Sequence, residues 1–162
     1  MEIEAKRVGD SSFTMSQIMS PQDANLAGNV HGGVIMRLID VAGAVVAVRH
    51  CRNNVVTASI ERLDFHQPIF IGNLVTFKAS LNLVGRTSME IGVLVESESL
   101  RTGEVRKAAS AYLTYVALGK DRRPVQVPPL ILETEEEIRR NCMARLRREE
   151  RERSRSKAEA SC

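Results

Sequence analysis

The stretch Gly32-Gly33-Val34-Ile35-Met36-Arg37-Leu38-Ile39-Asp40-Val41-Ala42-Gly43-Ala44-Val45-Val46-Ala47-Val48 decides the fold. From residue 34 to 48 only Arg37, Asp40 and Gly43 interrupt the apolar run, and its length favours a helix over a strand. Apolar residues fall on nearly every side, which predicts a buried helix rather than one lying on a surface. The longest run without a polar side chain, residues 41–48, is far too short to span a bilayer, so no membrane partner is expected.

Beyond Asn53-Asn54 the pattern changes to period two, and residues 55–65, 74–84, 88–97 and 104–118 read as strands. Val75, Phe77, Ala79, Leu81 and Leu83 alternate with Thr76, Lys78, Ser80 and Asn82; Met89, Ile91, Val93 and Val95 alternate with Glu90, Gly92 and Glu96. The links Gly85-Arg86-Thr87 and Leu100-Arg101-Thr102-Gly103 are short and contain glycine, so the later strands pair as antiparallel neighbours. Upstream, residues 12–18 are a candidate first strand, followed by the turn residues Ser20-Pro21-Gln22-Asp23. Pro124, Pro128 and Pro129 end the sheet. Thr134 before Glu135-Glu136-Glu137 then starts a second helix, expected to reach Glu152, with a hydroxyl cap and acids in the positive first turn.

The expected architecture is α+β: a long central helix wrapped by a five-stranded antiparallel sheet, plus a C-terminal helix. Residues 1–132 form the main domain, and residues 133–162 a charged helix and basic tail. One sheet curled round one helix leaves edge strands and an incompletely covered face, so pairing with a second copy is expected.

Composition narrows the class. The 162 residues include no Trp and only 4% aromatics, so the core must come from Val, Ile, Leu, Ala and Met. The start, Met1-Glu2-Ile3-Glu4, carries acids where a secretory signal would carry cations, which points to a cytoplasmic protein. Cys51, Cys142 and Cys162 are scattered and form no CxxC pair, supporting neither a disulfide framework nor a zinc site. Between residues 139 and 157, nine basic residues face only Glu149, Glu150 and Glu152, whereas the rest of the chain is slightly acidic. Such a tail can attract nucleic acid. A solvated, partly frayed terminal helix is the preferred alternative, so no nucleic-acid partner is expected.

Chemistry concentrates between Asp23 and Asp40. Gly32-Gly33 opens the apolar helix, where unpaired N–H groups and the positive dipole end can hold an anion or polarise a carbonyl. A glycine pair kept for close packing is the alternative. Asp40 is the sole acid in the apolar run: either a residue at a polar interface or a general base or nucleophile in a dry cleft. Asn25 and Asn29 can orient a water or a carbonyl, or serve ordinary turns. His31 reads as a loop or helix-start residue. Gly33 and Asp40 lie ~10 Å apart along the axis, so one carbonyl cannot touch both ends within one helix. If both act on one substrate they come from different chains, with two equivalent sites across a two-fold axis.

The run from Asp23 to Asp40, Asp-Ala-Asn-Leu-Ala-Gly-Asn-Val-His-Gly-Gly-Val-Ile-Met-Arg-Leu-Ile-Asp, resembles the core motif of hotdog-fold acyl-CoA thioesterases, notably the cytosolic (brain-type) acyl-CoA hydrolases and their bacterial relatives. Val55-Val56-Thr57-Ala58-Ser59, Ala108-Ala109-Ser110-Ala111 and Val127-Pro128-Pro129 add to the resemblance, which covers residues 13 to 145. It implies a hotdog fold and hydrolysis of acyl-CoA to free fatty acid and CoA, without metal or cofactor. It implies a catalytic pair, Asn25 and Asp40, from opposite hotdogs, with Asn29, His31, Gly32 and Gly33 at the oxyanion and substrate site. For CoA it suggests Arg86, Thr87 and Ser88, with Arg62 and Arg49 as weaker options. It also implies a homohexamer, a trimer of dimers. The competing readings are a non-catalytic acyl-CoA-binding sensor on the same fold, and a hotdog dehydratase or hydratase, whose His-and-acid motifs are not found.

Overall fold

The computed structural model describes residues 3–160, and Cys162 lies outside them. The elements are β1 (Lys6–Arg7), β2 (Phe13–Ile18), α1 (Gly32–Cys51), β3 (Asn54–Phe65), β4 (Leu74–Val84), β5 (Ser88–Glu98), β6 (Val105–Leu118), β7 (Leu130–Ile131) and α2 (Glu135–Ala160), with two short 3-10 turns near the N-terminus. Five strands form one antiparallel sheet in the order β2-β4-β5-β6-β3. The glycine-containing links make β4, β5 and β6 consecutive neighbours, as expected. β3 pairs with β6 instead of β4, so residues 66–73 cross the end of the sheet. β1 and β7, not foreseen in the sequence, form a separate two-residue parallel pair.

The sheet curls over one side of α1. Ile35, Leu38, Ile39, Ala42, Val46 and Ala47 of the helix meet Phe77, Met89, Ile91 and Leu113 of the strands in one buried cluster. Each large aliphatic side chain removed from water there contributes about 1.5–3 kcal/mol. This is the hotdog fold.

Two expectations are corrected. α1 is not buried all round: Met36, Val41 and Val48 are 41%, 43% and 42% exposed, because a single sheet covers only one helix face. The edge strand β3 is also open, with Val56 and Ile60 uncovered. Nor does the C-terminal helix end at Glu152 or stand free of the sheet over its whole length, although residues 152–159 are exposed. α2 is helical to Ala160 and docks on the outer face of the sheet. Its start is as read: Glu137 N–H donates to Thr134 Oγ1 (3.1 Å), and the Glu137 carboxylate accepts from Thr134 N–H (3.2 Å).

The docking of α2 is polar. A register shift between Leu81 and Leu83 takes Asn82 out of the ladder, and its carbonyl accepts instead from Asn141 Nδ2 (2.7 Å). Glu90 pairs with Arg147 at 2.6 Å, and that guanidinium lies over the Tyr112 ring. Glu61 pairs with Arg151. Arg139, Arg140, Arg148 and Arg153 pair with carboxylates on the helix itself. Much of the basic run is thus committed within the chain.

Arg147→Ala should therefore cost about 3 kcal/mol in a urea melt, because it strands a buried Glu90 carboxylate. Arg153→Ala, which breaks an exposed pair, should change stability by less than about 0.5 kcal/mol.

Candidate active site

The loop before α1 is tied to the crossing segment 66–73. Val30 N–H donates to Ile69 O (2.8 Å), Asn29 bridges Phe70, and Ala24 bridges Val30. Gly28 sits at φ +84°, a left-handed turn position that glycine takes without strain. Inside this turn the Asn25 side-chain oxygen accepts from the N–H groups of Ala27 (2.9 Å) and Asn29 (3.2 Å). With Oδ1 so engaged, the Asn25 Nδ2 donor has no partner among the described residues.

His31 is the N-cap of α1, its Nδ1 accepting from Gly33 N–H at 2.9 Å. The two glycines therefore differ. The Gly33 amide is consumed by the cap, which narrows the expectation that either could serve as a donor. The Gly32 amide has no partner among the described residues. Gly32, Asn25 and Asn29 line one open cavity of about 380 Å³ with Phe65, His66 and Gln67. His31 and Gly33 do not line it.

Asp40 lies two turns further along α1, half-buried, and is absent from that cavity. Thr57 Oγ1 donates to Asp40 Oδ1 at 2.7 Å, and Tyr115 donates to the same oxygen at 3.0 Å and to the Asp40 main-chain oxygen at 2.9 Å. Thr57 and Tyr115 are direct partners in the β3–β6 register, which brings both hydroxyls to one acid. Among the described residues none bonds Oδ2. Sequence reasoning placed both hydroxyls on strands but singled out neither as a partner of Asp40. The one available signal was that Thr57 lies in a stretch carrying the family resemblance.

The other expected residues lie elsewhere. The Arg86-Thr87-Ser88 link is at the end of the sheet where α1 finishes and β3 begins, away from the Asn25 cavity of the same chain. Arg62 bonds Asp64 at 2.6 Å on exposed β3. Arg49 bonds Ser12 O and covers the Phe13 ring. Among the described residues no group of three or more His, Cys, Asp or Glu could hold a metal ion, and no helix is long and apolar enough to cross a membrane.

Burial, reinforced by the adjacent Asp40 carboxylate, pushes the Tyr115 phenol far above its ordinary 10.0. It thus remains a proton donor throughout the neutral range. The folded state holds this proton more tightly than the unfolded state. The associated stability is fully present below the ordinary value and declines as pH rises above it. Alkaline denaturation should show that decline, and Tyr115→Phe should flatten it.

Comparison with known proteins follows the same lines. The thioesterase superfamily profile matches residues 27–104. The chain is 39% identical over 139 residues to the cytosolic acyl coenzyme A thioester hydrolase of Rattus norvegicus, covering 85% of this chain and 36% of that one. It thus spans about a third of that relative's length. It is 40% identical to protein VdlD of Helicobacter pylori, covering 88% of this chain and 82% of that one. It is 39% identical to the uncharacterized acyl-CoA thioester hydrolase YkhA of Bacillus subtilis, covering 83% and 78%. Among solved structures, an apo hexameric acyl-CoA thioesterase superposes with TM-score 0.91 at 34% identity, covering 94% of this chain and 97% of that one. The acyl-CoA hydrolase of Staphylococcus aureus, in complex with butyryl coenzyme A, coenzyme A and coenzyme A disulfide, superposes with TM-score 0.88 at 30% identity, covering 97% and 96%. Solved variants of that enzyme replace an Asn, an Asp and a Thr by Ala, at positions spaced 15 and 17 residues apart. On this evidence the chain belongs to the thioesterase superfamily, with the hotdog fold of the acyl-CoA thioester hydrolases.

Proposed function

We propose that the protein hydrolyses fatty acyl-CoA to free acid and CoA at a site shared between two copies, with Asn25 and Gly32 from one and Asp40 and Thr57 from the other. The observation that carries this reading is the separation of two half-sites on one helix. The cavity of Asn25 and Gly32 lies at the start of α1, while Asp40 is held two turns away by its own sheet. The uncovered face of α1 and the open edge β3 supply surfaces on which a second copy would pack. Asn25, Asp40 and Thr57 have the same residue types and the same spacing, 15 and 17, as the substituted positions of the Staphylococcus enzyme.

The chemistry follows from which atoms are free. Gly32 N–H and Asn25 Nδ2 donate to the thioester oxygen as negative charge develops on it. Asp40 Oδ2 of the partner takes a proton from water, whose oxygen bonds to the carbonyl carbon. Alternatively, Oδ2 attacks the carbonyl carbon, C–S cleavage expels the CoA thiolate and leaves a mixed anhydride, and water then cleaves that anhydride, regenerating the carboxylate and supplying the thiolate's proton. The tetrahedral centre collapses by breaking the C–S bond, and CoA leaves as a thiolate that takes up the proton. A thiolate is a good leaving group, so no strong acid is needed.

In an antiparallel arrangement of two α1 helices, the Arg86-Thr87-Ser88 link of one copy falls near the cavity of the other. There it would meet CoA phosphates through its cation and hydroxyls. Arg62, on the edge strand, is a weaker CoA contact. Asn29, His31 and Gly33 act in this reading by shaping the loop and cap around the donors. A trimer of dimers, a cytoplasmic location and residues 1–132 as the catalytic unit, with α2 as its addition, belong to the same proposal.

The test is thiol release from short-, medium- and long-chain acyl-CoAs, followed with a free-thiol dye. Asp40→Ala should lower kcat by roughly a thousandfold or more with the oligomer intact. A fully active Asp40→Ala protein would overturn the assignment.

A further inference from the structure

We propose that Tyr115 is a positioning residue for Asp40, and that Gly43 is retained because its missing side chain lets the Tyr115 hydroxyl reach that acid. This inference rests on the reading of Asp40 as the reacting carboxylate.

Tyr115 is 0% exposed, the largest fully buried side chain of the core, in a chain with only two tyrosines. A phenylalanine would fill the same space without the cost of burying a hydroxyl. The hydroxyl is instead directed at one residue. It donates to both the main-chain oxygen and Oδ1 of Asp40, at 2.9 and 3.0 Å. Those two contacts fix the carboxylate against its own helix backbone. Thr57, its partner on the neighbouring strand, gives Oδ1 its second donor at 2.7 Å. With Oδ1 doubly engaged, rotation of the carboxyl group is restrained and Oδ2 is the oxygen left to react.

Gly43 supplies the room. It is buried on α1, one turn beyond Asp40. A Cβ there would collide with the Tyr115 hydroxyl and approach two ring carbons to 3.0 Å. The packed ring cannot swing away without disturbing the core. Residue 43 has no positive φ, so the glycine meets a demand for space and not for a left-handed backbone. Helix propensity alone would favour alanine there by about 1 kcal/mol. The cost is thus borne at a position where a side chain would stand between Tyr115 and its place beside Asp40.

The experiment compares wild type, Tyr115→Phe, Gly43→Ala, the double variant and Asp40→Asn. The readouts are kcat and KM for one acyl-CoA, thermal midpoint and oligomeric state. Tyr115→Phe should lower kcat roughly ten- to a hundredfold, as expected for losing a donor to a charged group, with KM within about twofold. Its assay temperature is set well below its own thermal midpoint, so that a loss of folded protein does not mimic the effect. Gly43→Ala should lower kcat similarly. The double variant should lose less than the product of the two single losses, because the added methyl no longer meets a hydroxyl and presses only on two ring carbons at 3.0 Å. If Gly43→Ala by itself does not fold, recovery of a folded protein with Tyr115→Phe kcat in the double variant supports the same contact.

Wild-type kcat in folded Tyr115→Phe overturns the inference. So do losses that simply multiply in the double variant. Asp40→Asn separates the two levels. An inactive Asp40→Asn beside a fully active Tyr115→Phe refutes only the positioning role, whereas an active Asp40→Asn refutes the function on which it rests.

Discussion

A helix cannot bring its own first turn to a residue two turns along it, and the rest of this structure is organised around that limit. At the start of α1 the Gly32 amide and the Asn25 side-chain amide are left as donors. Further along, Asp40 is bound to the sheet by two hydroxyls, with one carboxylate oxygen left over. In the proposed reaction neither half suffices alone. The uncovered apolar face between them, with Met36 and Val41, raises the same need from the side of packing. One second copy, antiparallel to the first, would answer both needs. In the proposed dimer stability and catalysis would be coupled, because the contact that removes the apolar face from water would also assemble the site.

The two halves are held by different means. The donor half is a loop, and loops hold a geometry only when their backbone groups are bonded. Here Asn25 bonds its own turn, and Val30 and Asn29 are joined to the crossing segment of the sheet. The carboxylate half stands on a helix against two adjacent strands. Its geometry therefore depends on the β3–β6 register, and a slip of β3 by one residue would move the Thr57 hydroxyl off the helix-facing side, away from Tyr115 and Asp40. α2 lies on the opposite face of that sheet. Its pairs to Glu90 on β5 and Glu61 on β3 bridge strands that flank β6, which favours retention of that register.

The fold was legible in the sequence because two periodicities are unusually clean here. Fifteen nearly apolar positions mark α1, and the alternations at Val75–Leu83 and Met89–Val95 mark the central strands. What a single sequence could not show was which side of α1 stays open, because apolar residues facing a sheet and those facing another copy read alike. Asn25 and Asp40 stood out as polar residues beside or within an apolar run. Thr57 and Tyr115 did not, since hydroxyls are common on strands and their bond to Asp40 exists only through pairing of residues far apart in sequence. The capture of the Gly33 amide by His31 depends on a side-chain rotation, and the docking of α2 on a bulge at Asn82; neither leaves a periodic trace.

The central claim is that each site draws on two chains, and mixed dimers test it most directly. Asn25→Ala and Asp40→Ala chains, carrying different affinity tags, are unfolded and refolded together, and tag capture verifies that mixed dimers form. Each variant alone should be inactive. In a mixed dimer one site loses both residues and the other keeps both, so random pairing should restore about a quarter of wild-type activity. A verified mixed dimer that remains as inactive as its parents would place Asn25 and Asp40 in the same chain's site and contradict the account.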